Sequence, residues 1–419
     1  MVLMPILPLI QIVSFKIFGI SLFSARIITF IFFVLILISV YLLVKRFSGI
    51  YTALYAVFLL SVNYSLFAYS RLALLDLPMT FFILLSILIL STPNKTTVSI
   101  ILTAGIFSIA VLTKNTALIA FPILLYIIWN ESTNAKRKLI KTLILSSSVF
   151  GVFLIYYFAI IKPYIPEFQH FYTDVSLRIH PDFFSIIKAL GSGLSMGIIF
   201  YPLFIIYITF FFNKIKEGRG KRLFKTAVLW TGIFFLFNFA NNYSPPRYYI
   251  PILIPMVILI SLIWKYLLEK QDMKIWRAFF FILIGASCLI NSFNIFNHLT
   301  QPKYSLINMA KDIKKEFFLN KHPQPILLGD FADTVRLAVN IPVLTSVRYE
   351  NLYVSSRAPS YLICRDKLTT YSLQKLKRFY VLKLKKKYRV FDNYYRGTPV
   401  LLYKLTPKAS LKNNKGNME

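Results

Sequence analysis

Four charged residues stand where the chain is otherwise apolar: Arg71 and Asp76 in SRLALLDLPMTFF, Lys114 in VLTKNTAL, and Arg247 in NNYSPPRYYIPILIP. Charge beside long apolar runs is costly and is usually kept for function. An ammonium meets a phosphate as a point charge, and a guanidinium binds one through two parallel N–H groups. Lys114 and Arg247 are therefore candidates for an anion site. The two prolines before Arg247 keep a helix from starting earlier, so the guanidinium falls in a first turn, where the helix end adds partial positive charge. Tyr248 and Tyr249 stand beside it. The bland readings are a lysine that snorkels to headgroups at Lys114 and an anchoring belt at Arg247, although positive residues are disfavoured on an outer membrane face.

Asp76 has two readings. It can cap the helix that Pro78 helps to start. Alternatively it lies below the membrane surface in a polar cavity, because a helix over 77–91 is only about 22 Å long against a core of about 30 Å. Arg71 precedes it by five positions, about 140° away on a regular helix, which argues against a same-face ion pair between the two.

The elements that must position these residues follow from composition. With 57% hydrophobic residues, 40 Phe and 26 Tyr in 419 residues, the chain carries more apolar side chain than a soluble domain can bury. Its apolar runs recur at bilayer length. About ten transmembrane helices are expected, near 23–43, 49–68, 73–91, 97–113, 115–129, 139–161, 193–213, 225–241, 247–267 and 276–296. The fourth and fifth are separated only by Lys114 and Asn115. The net charge of +32 does not point to nucleic acid, because the basic residues cluster in short connections and a C-terminal region, the pattern of membrane orientation and anionic headgroups. Cys288 and Cys364 support neither a disulfide framework nor a thiolate metal site.

Alternate connections hold the basic clusters: Lys45–Arg46, Lys95, Lys136–Lys138, Lys214 through Arg222, and Lys265 through Arg277. The positive-inside rule makes these cytoplasmic. The turns bearing Arg71, Lys114 and Arg247, the loop 162–192 and everything after about 297 are then external. Residues 1–15, short and interrupted by proline, are expected to form an interfacial or re-entrant helix. His170, Asp174, Arg178 and His180 fall in the external loop, where solvated histidines are the default, and their spacing matches no metal motif.

Beyond residue 297 the periodicity changes. An amphipathic helix over 304–318 is followed by strand-like PILLGD, a short helix near Thr334–Val339, strand-like PVLTS and SYLICR, a basic helix over 371–379, and a hairpin from YRVFDNYY through RGTP to VLLYKL. The expected organisation is a multi-span membrane region over 1–298, a small extracytoplasmic α/β domain over 299–408, and a disordered tail over 409–419.

In order along the chain, SFKIFGISLFSARIITFIFFVLILISVYLLVKRFSG, YSRLALLDLPMTFFILLSILIL, VLTKNTALIAFPILL and PPRYYIPILIPMVILIS resemble the polyprenyl-phosphate-sugar-dependent glycosyltransferases of the C fold. That group includes protein mannosyltransferases and the transferase that adds aminoarabinose to lipid A. The resemblance covers roughly 8–300. It implies transfer of a sugar from a lipid monophosphate carrier to an acceptor on the outer face of the plasma membrane. Cations hold the departing phosphate and a carboxylate takes the acceptor proton.

Asp76 is the catalytic candidate that remains in the outer apolar core, although the resemblance itself gives it a supporting role, and Arg71, Lys114, Arg247, Tyr248 and Tyr249 are the substrate-binding candidates. The expected partners are a polyprenyl-phosphate sugar donor, membrane lipids and an acceptor that is protein, glycan or lipid. No organic cofactor is required, and a divalent metal remains open. The resemblance also implies that the family's first span and first external loop, which bears the acid thought to act as base, are absent. The corresponding expectation is little or no transfer by this polypeptide alone. A membrane transporter and a non-catalytic lipid-binding relative are the alternatives; no internal repeat supports the first.

Overall fold

The computed structural model describes residues 4–92, 96–130, 134–164, 219–240, 245–300, 305–319, 325–329, 331–344, 360–365, 376–377, 380–391 and 396–408. The span expected at 193–213, the residues His170, Asp174, Arg178 and His180, most of the basic helix at 371–379, and the tail lie outside them. The chain divides into two compact units, one of Met1–Ile17 with Ala25–Leu299 and one of Phe18–Ser24 with Thr300–Glu419.

The first unit is helical throughout its described residues. Its helices are α1 (Ile6–Phe18), α2 (Leu22–Ser48), α3 (Ile50–Ser61), α4 (Tyr64–Ser70), α5 (Asp76–Leu90), α6 (Thr97–Thr113), α7 (Phe121–Trp129), α8 (Ala135–Tyr156), α9 (Arg219–Phe239), α10 (Ile250–Glu269) and α11 (Lys274–Thr300). Among the described residues four helical stretches are long and apolar enough to cross a membrane, or five if α3 and α4, bent by 66° at their junction, form one span. α5, α6 and α7 are apolar but shorter. The core joins α10, buried along nearly its whole length, to α2, α3, α5, α6 and α9. Large apolar side chains also face outward, among them Ile155 on the α8 segment, and Phe281 and Leu289 on α11. Water would penalise such a surface and a lipid environment would not.

Local chemistry sets the helix ends. Lys114 takes an extended conformation (φ −158°, ψ 124°), stopping α6, and a 3-10 turn over Asn115–Ala120 leads into α7. The two runs around Lys114 are thus separate helices. The α3–α4 break falls at Asn63, whose side chain accepts the Leu66 N–H, while Asn291 on α11 accepts the Tyr64 N–H through Oδ1 at 2.9 Å. Both contacts satisfy helix-terminal donors that have no intrahelical partner. Pro245 and Pro246 hold the chain out of helix until a 3-10 turn, Pro246–Tyr249, opens α10.

The second unit carries a five-stranded sheet ordered β2-β1-β3-β5-β4. The strands are β1 (Leu327–Gly329), β2 (Val343–Leu344), β3 (Tyr361–Arg365), β4 (Tyr380–Phe391) and β5 (Arg396–Pro407), with α12 (Leu306–Ile313) and α13 (Ala332–Val339). β1 runs parallel to β2 and β3, and β5 lies antiparallel between β3 and β4. Leu327, Tyr361, Ile363, Val400 and Leu402 form one core together with Met309 and Val335 of the helices; Leu328, Leu362, Cys364 and Leu401 form a second. Opposite parity along each strand is what separates the two groups.

Candidate functional site

Three of the sequence-selected charges meet in the first unit. Asp76 opens α5, and Lys114 ends α6, the next helix. Their proximity makes α5 and α6 an antiparallel hairpin, with both residues at one end. The Lys114 Nζ donates to Asp76 Oδ1 at 2.5 Å, and Arg247 Nε lies 3.9 Å from Asp76 Oδ2. The carboxylate is 3% exposed and Lys114 9%. Asp76 does not serve as an α5 cap: it lies inside the first turn, position Leu75 precedes the helix, and no side chain caps it. Lys114 turns inward to the carboxylate, so the snorkelling geometry is not adopted.

Tyr248 completes the cluster. Its ring centre lies 4.1 Å from Lys114 Nζ and 5.7 Å from Arg247 Cζ, within the range over which an aromatic face attracts a cation. The Tyr248 carbonyl accepts from Asn238 Nδ2 of α9 at 3.3 Å, tying the turn to the neighbouring helix. Thr116 Oγ1 donates to Met79 Sδ at 3.3 Å, a second tie between the start of α5 and the turn after Lys114. Asn238 and Thr116 are the positioning residues that sequence reading missed. A lone Asn inside FFLFNF was the available signal for the first.

Two selected residues stand elsewhere. Tyr249 is buried, with its ring packed edge-on to Phe235. Arg71 is the exposed residue that closes α4, and its guanidinium lies 5.6 Å from the Phe67 ring centre. It is not the ion-pair partner of Asp76. Among the described residues no group of three or more His, Cys, Asp or Glu could hold a metal ion, and Asp76 faces two cations, a setting that repels a third.

An apolar cavity of about 640 Å³ lies between α6, the 3-10 turn, α7 and α8, lined by Val111, Leu118, Phe121, Val149, Phe150 and Phe153 among others. Asn115, the residue after Lys114, also lines it. Two cations on one buried carboxylate, with the residue after Lys114 lining an apolar cavity, suit an amphiphile whose anionic end binds at Lys114 and Arg247 and whose chain enters the cavity.

Known proteins share this arrangement of helices. ArnT from Cupriavidus metallidurans bound to undecaprenyl phosphate superposes with a TM-score of 0.61 over 97% of this chain and 88% of its own, at 13% identity. The glycosyltransferase C fold is therefore the fold of this chain. The Archaeoglobus fulgidus oligosaccharyltransferase, in its apo form, gives 0.53 at 11% identity over 92% of this chain and 65% of its own. Archaeal oligosaccharyltransferase AglB from the same organism, in complex with an inhibitory peptide and a dolichol-phosphate, gives 0.51 at 12% identity over 98% and 67%. Residues 4–158, which hold α1 to α8 with Asp76 and Lys114, match the family model of dolichyl-phosphate-mannose-protein mannosyltransferases. No curated protein matches the chain in sequence.

Proposed function

We propose that this protein transfers a sugar from a polyprenyl-phosphate carrier to an acceptor on the outer face of the plasma membrane. Lys114 and Arg247 hold the carrier phosphate, Tyr248 supplies the aromatic wall beside them, and the apolar cavity along α6 and α8 takes the start of the polyprenyl chain. The observation that carries the reading is the convergence of Lys114 and Arg247 on one buried point in a C-fold scaffold. The bond broken is the one between the sugar C1 and the phosphate oxygen. Cations at that oxygen stabilise the charge that develops as it leaves. The second unit is assigned to the outer side, where it acts on the acceptor.

Arg71, at the exposed end of α4, is assigned to the entrance rather than to the phosphate, and Tyr249 to the support of Tyr248 from below. The direct test uses membranes containing the full chain, a radiolabelled polyprenyl-phosphate sugar and candidate acceptors. Label should move from the carrier in wild type, and Arg247→Ala or Lys114→Ala should abolish the movement. Binding of the carrier phosphate unaffected by either substitution would eliminate the assignment.

A further inference from the structure

We propose that Asp76 is a built-in counter-charge that makes the phosphate site favour the singly charged phosphodiester of a sugar donor over the doubly charged monoester left after transfer. This rests on the assignment of the phosphate to Lys114 and Arg247. Each oxygen of the carboxylate is directed at a different cation, Oδ1 at Lys114 and Oδ2 at Arg247. A general base must reach the proton it removes, whereas Asp76 is 3% exposed, with Oδ1 accepting from Lys114 and Oδ2 at ion-pair distance, 3.9 Å, from Arg247 Nε. Asp76 is accordingly a positioning residue.

The charge balance gives the arrangement its consequence. Among the described residues Lys114 and Arg247 both flank the Asp76 carboxylate, so an anion that meets the two cations also meets its negative charge. In the reaction, the donor phosphodiester carries one negative charge. The C1–O bond breaks with its electron pair remaining on phosphate, the acceptor oxygen bonds to C1, and the acceptor proton leaves to solvent. The products are a neutral glycoside, a proton and a lipid phosphate monoester, whose second ionisation near pH 6 makes it close to a dianion at pH 7.5. Lys and Arg offer several N–H groups each, so a phosphate can approach both while Asp76 keeps its own contacts. It then lies within a few ångströms of a buried carboxylate. That repulsion acts once on the donor and nearly twice on the spent carrier, so the same residue that gathers the cations also promotes release of the product.

The test measures binding of farnesyl phosphate and of its methyl phosphodiester to the full chain in neutral-lipid nanodiscs at pH 7.5. In Asp76→Asn the preference for monoester over diester should rise by about tenfold or more, the size expected for one unit charge at short range in an intermediate dielectric. Asp76→Glu, which keeps the charge, should retain the wild-type preference. If the asparagine variant does not fold, Asp76→Ser replaces it in the same contrast. Equal loss of both ligands, or an unchanged ratio in the charge-removing variant, would overturn the proposal. The Lys114→Ala and Arg247→Ala proteins serve as the separate control: if they bind both ligands as wild type does, the phosphate assignment itself has failed.

Discussion

At the scale of single residues, Arg247 and Lys114 should not be interchangeable. Arg247 approaches from a 3-10 turn that two prolines fix, and its planar fork can meet two phosphate oxygens at once. Arg247→Lys should weaken binding of a polyprenyl phosphate, and Arg247→Ala should cost about 1.5–3 kcal/mol, roughly ten- to hundredfold in affinity. Titration of purified wild type and both variants with the same lipid checks this; equal affinities would count against a bidentate contact. The charges themselves were visible in the sequence because each interrupts an apolar run. Their meeting was not, since it depends on how α5, α6 and the turn before α10 pack. The five-residue spacing of Arg71 and Asp76 was a poor guide because the two do not share a helix: Arg71 closes α4 and Asp76 opens α5.

At the scale of elements, the bend between α3 and α4 directs the chain toward Asp76, and a side chain from α11 holds it. Asn291→Ala removes the acceptor of the Tyr64 N–H and should destabilise this region by about 1–3 kcal/mol, the cost of leaving a buried donor unmade. Hydrogen exchange over residues 64–70 should speed up in Asn291→Ala and much less in Asn291→Asp, which keeps an acceptor; identical exchange in both would remove the bracing role. In the second unit, Gly329 sits at φ +126°, and a Cβ there would lie 1.9 Å from the Ile363 carbonyl oxygen. Gly329→Ala should therefore part β1 from β3 and cost at least about 2 kcal/mol. Limited proteolysis of the full chain in detergent should show new cleavage near β3 in this variant alone.

Apolar runs and prolines made the helices legible. The sheet was less so. β4 starts at Tyr380, well before the expected hairpin strand, because the lysines among Val381, Leu382 and Leu384 blur its alternation, and a register shift between Leu384 and Lys386 alters its pairing with β5. Parallel pairing of β1 with β3 joins residues separated by a helix and another strand, which no local pattern encodes.

At the scale of the whole molecule, the proposed chemistry requires the Asp76–Lys114 end of the helical unit to open to the outer side of the membrane, and the proposed assignment of the second unit to the outer side is tested separately. The basic start of α8, with Lys136, Arg137 and Lys138, is then cytoplasmic by the positive-inside rule. Both Lys136 and Lys408 are exposed and described, so each can report on its side. In a background with Cys288 and Cys364 replaced by alanine, Lys408→Cys should react with a membrane-impermeant maleimide in intact cells. Lys136→Cys should react only after the membrane is permeabilised. The order matters for the mechanism, because a lipid phosphate presented from the outer leaflet can reach Lys114 and Arg247 only if the α5–α6 hairpin opens outward. Labelling of position 136 but not 408 in intact cells would invert the molecule and exclude an outer-face acceptor.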